Sequence, residues 1–268
     1  MEAHRPPSLY NLDDESRYIV RVDPHCHILP GIDDGSKSME MSLNMARRAV
    51  SFGIQHMIAT PHGCHPALKC DSSPEHLRLR VAELNHALAQ AQIPLRTSPG
   101  TEILMNRGIP EMFEAGGLLT WADQNQYVLI ELGFHHMPDC SFEVLNYFLG
   151  RGLTPILAHP ERYTWLPQAP DVVRQLADLG CWFQINVMSI NGLWGEMQQE
   201  MAWRLMNYVP RWLVGTDSHS DADKFWGIDE VCNALRERGL WTGQGEPRPT
   251  EAGPLDDTVF EAGSAHHF

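Results

Sequence analysis

Apolar and polar positions along the 268-residue chain switch repeatedly between two spacings. Short strand-like apolar runs recur at residues 18–22, 56–60, 95–98, 127–132, 155–159, 182–187 and 212–215. Between them the apolar positions fall three and four residues apart. That spacing predicts helices over 38–52, 74–91, 110–115, 141–151, 171–179, 195–208 and 229–238. Ser38 ahead of Met41, Met45 and Ala49 marks a capped helix with one apolar stripe, and Gly53, Gly152 and Gly180 stand where helices end.

A strand followed by a helix, repeated seven times, predicts an α/β fold. The simplest form is a distorted TIM-like (βα)7 barrel, because right-handed crossovers put every helix on the outside. A doubly wound open sheet is the alternative, but no G-x-G-x-x-G follows the first run, so dinucleotide binding has no support. The barrel is expected over residues 18–241. Residues 1–17, polar and Pro-containing, and 242–268, rich in Gly, Pro and acidic residues, are read as irregular extensions.

Charge and cysteine usage narrow the class. Twenty basic against 34 acidic side chains give a formal charge of −14, which disfavours nucleic acid as a partner. The first twenty residues lack a basic start followed by an apolar core, and no later run approaches a membrane span. A cytoplasmic protein without direct membrane insertion is therefore expected. Cys26, Cys64, Cys70, Cys140, Cys181 and Cys232 form no C-x-x-C pair and are read as reduced thiols. Cys64 and Cys70 near His62 and His65 leave a local zinc or redox site as the alternative.

In a TIM-like barrel the chemistry gathers at the C-terminal ends of the strands. The first run is followed by Asp23, His25, His27, Asp33 and Asp34; the second by His62; the third by Glu102. The fourth ends at Glu131, the fifth at His159, and the seventh leads to Asp217 and His219. One such residue after a strand is ordinarily a turn former or a helix cap. Six strands out of seven delivering one to the same rim is a different matter, because clustered carboxylates repel and cannot all stay ionised without cations. In His25-Cys26-His27 on an extended segment both imidazoles project to one side and Cys26 to the other. The set is too large for one tetrahedral zinc and suits two or three ions of the Mn, Fe or Zn type.

HCHILPGIDDG, ATPH, GTE, VLIEL, AHPERY and TDSH, in this order, resemble the polymerase-and-histidinol-phosphatase (PHP) family of metallophosphoesterases. HILPGIDDG, AHPERY and the Q-x-N of QINVMSINGLWG are similar to its bacterial branch of capsule- and exopolysaccharide-associated protein-tyrosine phosphatases. The resemblance spans about residues 18–238. It implies His25, His27, Glu102 and Asp217 on one metal, Glu102, Glu131 and His159 on a second, and Asp34, His62 and His219 on a third. Asp33 is the alternative to Asp34, which is preferred because it directly precedes Gly35. Arg162 matches an arginine that binds substrate phosphate in this branch. Where a second such arginine is expected the chain offers Lys224, which keeps the charge but loses bidentate geometry. The family often has a second histidine after ATPH, where this chain has Gly63 and then Cys64-His65, so His65 is not counted among the site residues.

The implied activity is metal-dependent hydrolysis of a phosphomonoester by in-line attack of water on phosphorus, assisted by the cations and Arg162, with manganese the first choice of metal. A cysteine followed by five residues and an arginine does not occur in a form that suits a cysteine phosphatase loop. His219 or a water serves as proton donor to the leaving group. The implied substrate is phosphotyrosine in the tail of a bacterial tyrosine autokinase that controls polysaccharide export. A histidinol-phosphate-type small-molecule phosphatase and a weakly catalytic phosphotyrosine-binding regulator are the alternatives, with a PHP exonuclease behind them. Trp165, Phe183, Trp194, Trp203 and Trp226 are candidates to wall the cleft or to pack in the core.

Overall fold

The computed structural model describes residues 22–63, 72–222 and 228–240. Nine strands run through them: β1 (Val22–Cys26), β2 (His56–Ala59), β3 (His62–Gly63), β4 (Arg96–Pro99), β5 (Glu102–Leu104), β6 (Tyr127–Glu131), β7 (Thr154–Ala158), β8 (Trp182–Asn186) and β9 (Trp212–Gly215). Eight helices alternate with them: α1 (Met39–Ser51), α2 (Pro74–Gln90), α3 (Ile109–Glu114), α4 (Ser141–Leu149), α5 (Pro170–Asp178), α6 (Val187–Ile190), α7 (Glu196–Tyr208) and α8 (Ile228–Glu237). Every strand pairing is parallel, in the orders β1-β2-β4 and β3-β5-β6-β7-β8-β9.

The two sheets are the lower and upper parts of one set of staves. Only Thr60 and Pro61 separate β2 from β3, and only Gly100 and Thr101 separate β4 from β5. Pro61 has no N–H to donate, and a Cβ on Gly100 would stand 3.3 Å from side-chain methyls of both Ile58 and Thr60, so each stave is interrupted at a residue that suits a break in the ladder. The order returns to its start at the rim: Asp217 N–H donates to His25 O at 2.8 Å and His27 N–H to Ser218 O at 2.9 Å. The result is the distorted TIM-like α/β barrel of seven staves that the alternation predicted.

Two expectations need correction. The first strand, expected at 18–22, runs through Val22–Cys26, while residues 18–21 lie outside the described residues. Its polar letters read as a turn, yet Asp23 is wholly buried and accepts hydrogen bonds from both the backbone N–H and the hydroxyl of Thr216. The segment can therefore stay extended inside the barrel. The strand expected at 182–187 stops at Asn186, and α6 begins on the next residue. Both terminal extensions, Cys64, His65, Cys70, Lys224 and Trp226 lie outside the described residues.

Side-chain alternation sorts the core into two layers. Met57, Val128, Ile130, Leu157, Phe183 and Val214 face outward to the helices in the larger apolar cluster. Their neighbours Ile58, Leu129, Ile156, Ala158 and Leu213 face inward, where Trp121 joins them and donates Nε1–H to Pro24 O at 2.8 Å. This inner layer is a solid floor below the strand ends. The α1 helix starts where expected, Ser38 Oγ accepting from Met41 N–H at 3.2 Å, and ends at Gly53 with φ 90°. No helix among the described residues is long and apolar enough to cross a membrane.

Candidate metal centre

Above the floor the inward positions turn polar. His25 on β1, Glu131 on β6, Gln184 and Asn186 on β8, and His27, Glu102, His159 and Asp217 at strand termini are all buried. His159 and Asp217 sit at φ 35° and 51°, left-handed conformations that non-glycine residues rarely adopt and that accumulate at functional sites.

All nine ligand candidates come together. Ligand atoms of His27, Asp34, His62 and His219 lie within 4.8 Å of one another, and so do those of His25, Glu102 and His159, of His25, His27 and Asp217, and of His62, Glu102 and Glu131. Shared members make the four groups one continuous cluster. The partition differs from the one the resemblance implies: His27 also falls with the Asp34 group, Glu131 with His62 and Glu102, and His159 with His25 and Glu102, while His25, His27 and Asp217 form a group without Glu102. Asp34 lies 3.3 Å from His62 Nε2 and 3.6 Å from His219 Nε2. Asp33 is occupied elsewhere, accepting from His27 Nδ1, from Gly35 N–H and from His62 N–H at 2.7, 2.9 and 2.9 Å.

The hydrogen bonds around the cluster aim the imidazoles. Nδ1 of His25 donates to Gln184 Oε1 at 2.8 Å, Nδ1 of His27 to Asp33, and Nδ1 of His219 to Asp217 O at 2.8 Å. Each bond leaves the Nε2 lone pair directed inward, the arrangement a metal ligand requires. Nε2 of His25 and Nε2 of His27 are then only 3.3 Å apart, and both lie 3.4–3.5 Å from carboxylate oxygens of Glu102 and Asp217. Glu102 Oε2 is buried with three imidazole nitrogens around it, His62 Nδ1 at 2.9 Å and Nε2 of His25 and His27 at 3.5 and 3.4 Å. Imidazole lone pairs converging on one buried carboxylate oxygen are what divalent cations would resolve, so these residues fit the group. Cys26 stays out of it, its thiol directed to Ile58 O at 3.3 Å.

Electrostatics point the same way. Burial opposes charge on His25, but the carboxylates of Glu102 and Asp217 outweigh it and lift its pKa to about 9. Burial likewise disfavours the ionised forms of Glu102 and Asp217, yet the surrounding imidazoles, His25 foremost, hold both well below the usual carboxylate range. Glu131 is pushed up to about 7 by burial and then by the charge of Glu102. The buried imidazoles and carboxylates thus favour opposite charges on one another.

Four contributors were given no role by the sequence reading, although three of them lie in motifs that carry the resemblance. Gln184, Asn186 and Glu161 build a bracket beneath the cluster: Gln184 Nε2 donates to Asn186 Oδ1 at 2.7 Å, Asn186 Nδ2 to Asp217 Oδ2 at 2.9 Å, and Glu161 Oε1 accepts from Asn186 N–H and Ser189 Oγ. The Q-x-N spacing, two residues apart on one strand face, was the available signal. Phe134 is the fourth, stacked on His159 at 5.4 Å.

Arg162 stands at the edge of the cluster, its Nη1 donating to Asp217 Oδ2 at 2.8 Å, and its guanidinium lies over the rings of Phe134 and Trp194 at 4.8 and 4.3 Å. Of the aromatic candidates, Phe183 and Trp203 are core, Trp165 donates to Gly133 O at 3.0 Å, and Trp194 alone among those described is at the exposed edge beside Arg162.

The sequence family described as capsular polysaccharide synthesis, CpsB/CapC, matches residues 21–239. The chain belongs to the CpsB/CapC family. Tyrosine-protein phosphatase YwqE of Bacillus subtilis (strain 168) is 33% identical over 216 residues, 81% of this chain and 84% of that protein. Tyrosine-protein phosphatase CpsB of Streptococcus pneumoniae is 28% identical over 204 residues, 74% of this chain and 83% of that protein. Among solved structures, a chain from the work on YwqE and CpsB, described as unique metal-dependent tyrosine phosphatases, aligns with TM-score 0.75 and 29% identity over 86% of this chain and 100% of its own. A histidinol phosphate phosphatase from Lactococcus lactis aligns with TM-score 0.54 and 14% identity over 81% of this chain and 93% of its own, a likeness of fold. CpsB/CapC membership thus agrees with the PHP-type barrel and its rim of imidazoles and carboxylates.

Proposed function

We propose that this CpsB/CapC protein is a metal-dependent protein-tyrosine phosphatase that hydrolyses phosphotyrosine in the tail of a bacterial tyrosine autokinase controlling capsule or exopolysaccharide synthesis, in the cytoplasm. The observation that carries the reading is the guanidinium of Arg162 placed 2.8 Å from Asp217 at the edge of a nine-residue ligand cluster.

Two or three divalent ions, manganese first with iron or zinc as alternatives, would be held by His25, His27, Asp34, His62, Glu102, Glu131, His159, Asp217 and His219, and would supply neutralisation of phosphate charge and a more acidic attacking water. Gln184 and Asp33 hold His25 and His27 with Nε2 inward, so the site needs little reorganisation on binding. Arg162, steadied by Asp217 and two aromatic faces, offers its planar donor fork to the non-bridging phosphate oxygens. Lys224 is proposed as a second phosphate contact. His219 holds Nδ1–H on Asp217 O, which directs the Nε2 lone pair to Asp34 and the ligand cluster, so with Nε2 on a metal the proton for the leaving group would come from a water.

A thiolate nucleophile has no support among the described cysteines. Burial raises Cys26 well above its ordinary value and pushes Cys181 up to about 12. The one Cys-x5-Arg spacing, Cys232 to Arg238, lies along and just past α8 instead of in a loop, with Cys232 buried.

The test is phosphate release from a phosphotyrosine peptide and from histidinol phosphate, side by side, after metal removal and after reloading with Mn²⁺. Preferential, Mn²⁺-restored peptide hydrolysis is expected. Preference for histidinol phosphate would move the protein to the metabolic branch with the same site, and peptide binding without release would make it a regulator.

A further inference from the structure

Three of the large apolar side chains exposed to solvent are close neighbours in sequence: Leu193 at 55%, Trp194 at 42% and Met197 at 62%. Residues 192–195, between α6 and α7, carry the first two on a turn that is pinned in place. Leu193 N–H donates to Met188 O at 2.9 Å and Gly195 N–H to Gly192 O at 3.1 Å. Gly192 and Gly195 bracket the turn at φ 74° and 106°, where a side chain is strained. A Cβ on Gly192 would also stand 3.1 Å from the Gln199 amide that donates to Ile190 O. Burial of side chains of this size is favourable, so a fixed turn that keeps Leu193 more than half exposed and Trp194 partly exposed is not explained by packing alone.

The turn points its indole at the site. The Trp194 ring centroid lies 4.3 Å from Cζ of Arg162, the same guanidinium covers Phe134 at 4.8 Å, and Phe134 stacks on His159. A line of aromatic and guanidinium surfaces therefore leads from the ligand cluster to an exposed apolar ledge, with the phosphate-binding candidate in its middle.

We propose that Trp194, flanked by Leu193 and Met197, is a specificity-determining residue that recognises the aryl group of the substrate. The phenyl ring of phosphotyrosine packs on the ledge while its phosphate reaches Arg162 and the cluster, an assignment that rests on the phosphatase reading above. In phosphotyrosine the ring lies directly beside the phosphate, so apolar surface next to the phosphate site meets it. An alkyl phosphate presents no comparable surface there. Stacking of Trp194 on Arg162 also steadies the guanidinium, which affects every phosphate ligand alike. The contact with the ring is distinguished by selectivity.

The experiment measures the affinities of the Mn²⁺-loaded full chain for phenylphosphonate and methylphosphonate by calorimetric titration, in wild type and in Trp194→Ala, Trp194→Leu and Trp194→Phe. Wild type is expected to prefer the phenyl ligand, Trp194→Ala to reduce that preference roughly tenfold, and Trp194→Phe to retain most of it. Trp194→Leu, apolar but without a ring, is expected to fall between them. No preference in wild type, or equal weakening of both ligands in Trp194→Ala, would overturn the proposal and reduce Trp194 to a support for Arg162. Phosphotyrosine turnover is read separately on the same wild-type preparation. Its absence alongside an intact phenyl preference would sink the phosphatase reading without touching the ring contact.

Discussion

On β7, Ile156 and Ala158 face the barrel interior among apolar neighbours, and one residue further on His159 enters the ligand cluster. The same change occurs on β6 between Leu129 and Glu131, and on the β9 stave between Leu213 and Asp217. The floor and the inner part of the rim, His25, Glu102, Glu131, His159 and Asp217, are thus both buried and both carried by the barrel strands or their ends. They differ in what burial does. In the floor, removal from water is itself the stabilising term. In the rim it is a cost, offset by mutual attraction and by the hydrogen bonds of Gln184, Asn186 and Asp33. The floor is therefore a source of stability on which a costly site can stand.

Four changes test this contrast, from the largest effect to the smallest. Glu102→Gln, at the centre of the rim, is expected to lower turnover on the order of 10³-fold or more and to reduce bound metal, with the circular dichroism spectrum unchanged. Full metal content with wild-type turnover would remove Glu102 from the centre. Leu129→Ala, in the floor, is expected to cost about 2–5 kcal/mol in denaturant unfolding while the folded fraction keeps near-normal turnover. Loss of activity without loss of stability would show that floor and rim are not separable. Gln184→Leu removes the acceptor for His25 Nδ1 and should weaken metal affinity about 10- to 100-fold, measured by chelator competition.

The smallest effect concerns pH. Burial lifts the Glu161 carboxyl from its ordinary 4.5 to about 7. The folded protein then binds more protons than the unfolded chain between those values, so this residue's contribution to stability falls as pH rises from 4.5 to 7 and is level outside that window. Glu161→Gln can still accept from Asn186 N–H and Ser189 Oγ but does not ionise. It is expected to gain roughly 1–3 kcal/mol on wild type across the window, read from unfolding midpoints at pH 4.5 and 7.5. Parallel pH profiles for the two proteins would place the negative charge elsewhere.

The ligand candidates were legible because each is a His, Asp or Glu at the end of a strand-like run or in the segment after it, and the barrel sends strand ends to one rim. Helix positions were legible for a similar reason, since the three- and four-residue apolar spacing marks the face that packs on the sheet. The brackets were not. Gln184 and Asn186 are neutral amides in a strand, and nothing local states that one accepts from His25 and the other donates to Asp217, residues 159 and 31 positions away. The extent of β1 escaped for the same reason, because Asp23 is tolerated inside only through Thr216, 193 positions along the chain.

By itself, then, the sequence determined the alternation of strand and helix, the barrel that follows from it and the inventory of imidazoles and carboxylates, because these depend on period and residue type. Tertiary structure alone decided which nitrogen of each histidine faces inward, that Glu131 falls in a group with His62 and Glu102, that Asp33 supports while Asp34 faces the cluster, and that an exposed tryptophan covers Arg162. Those outcomes depend on distances of a few ångströms between segments far apart in the chain, and no local pattern of residues encodes such distances.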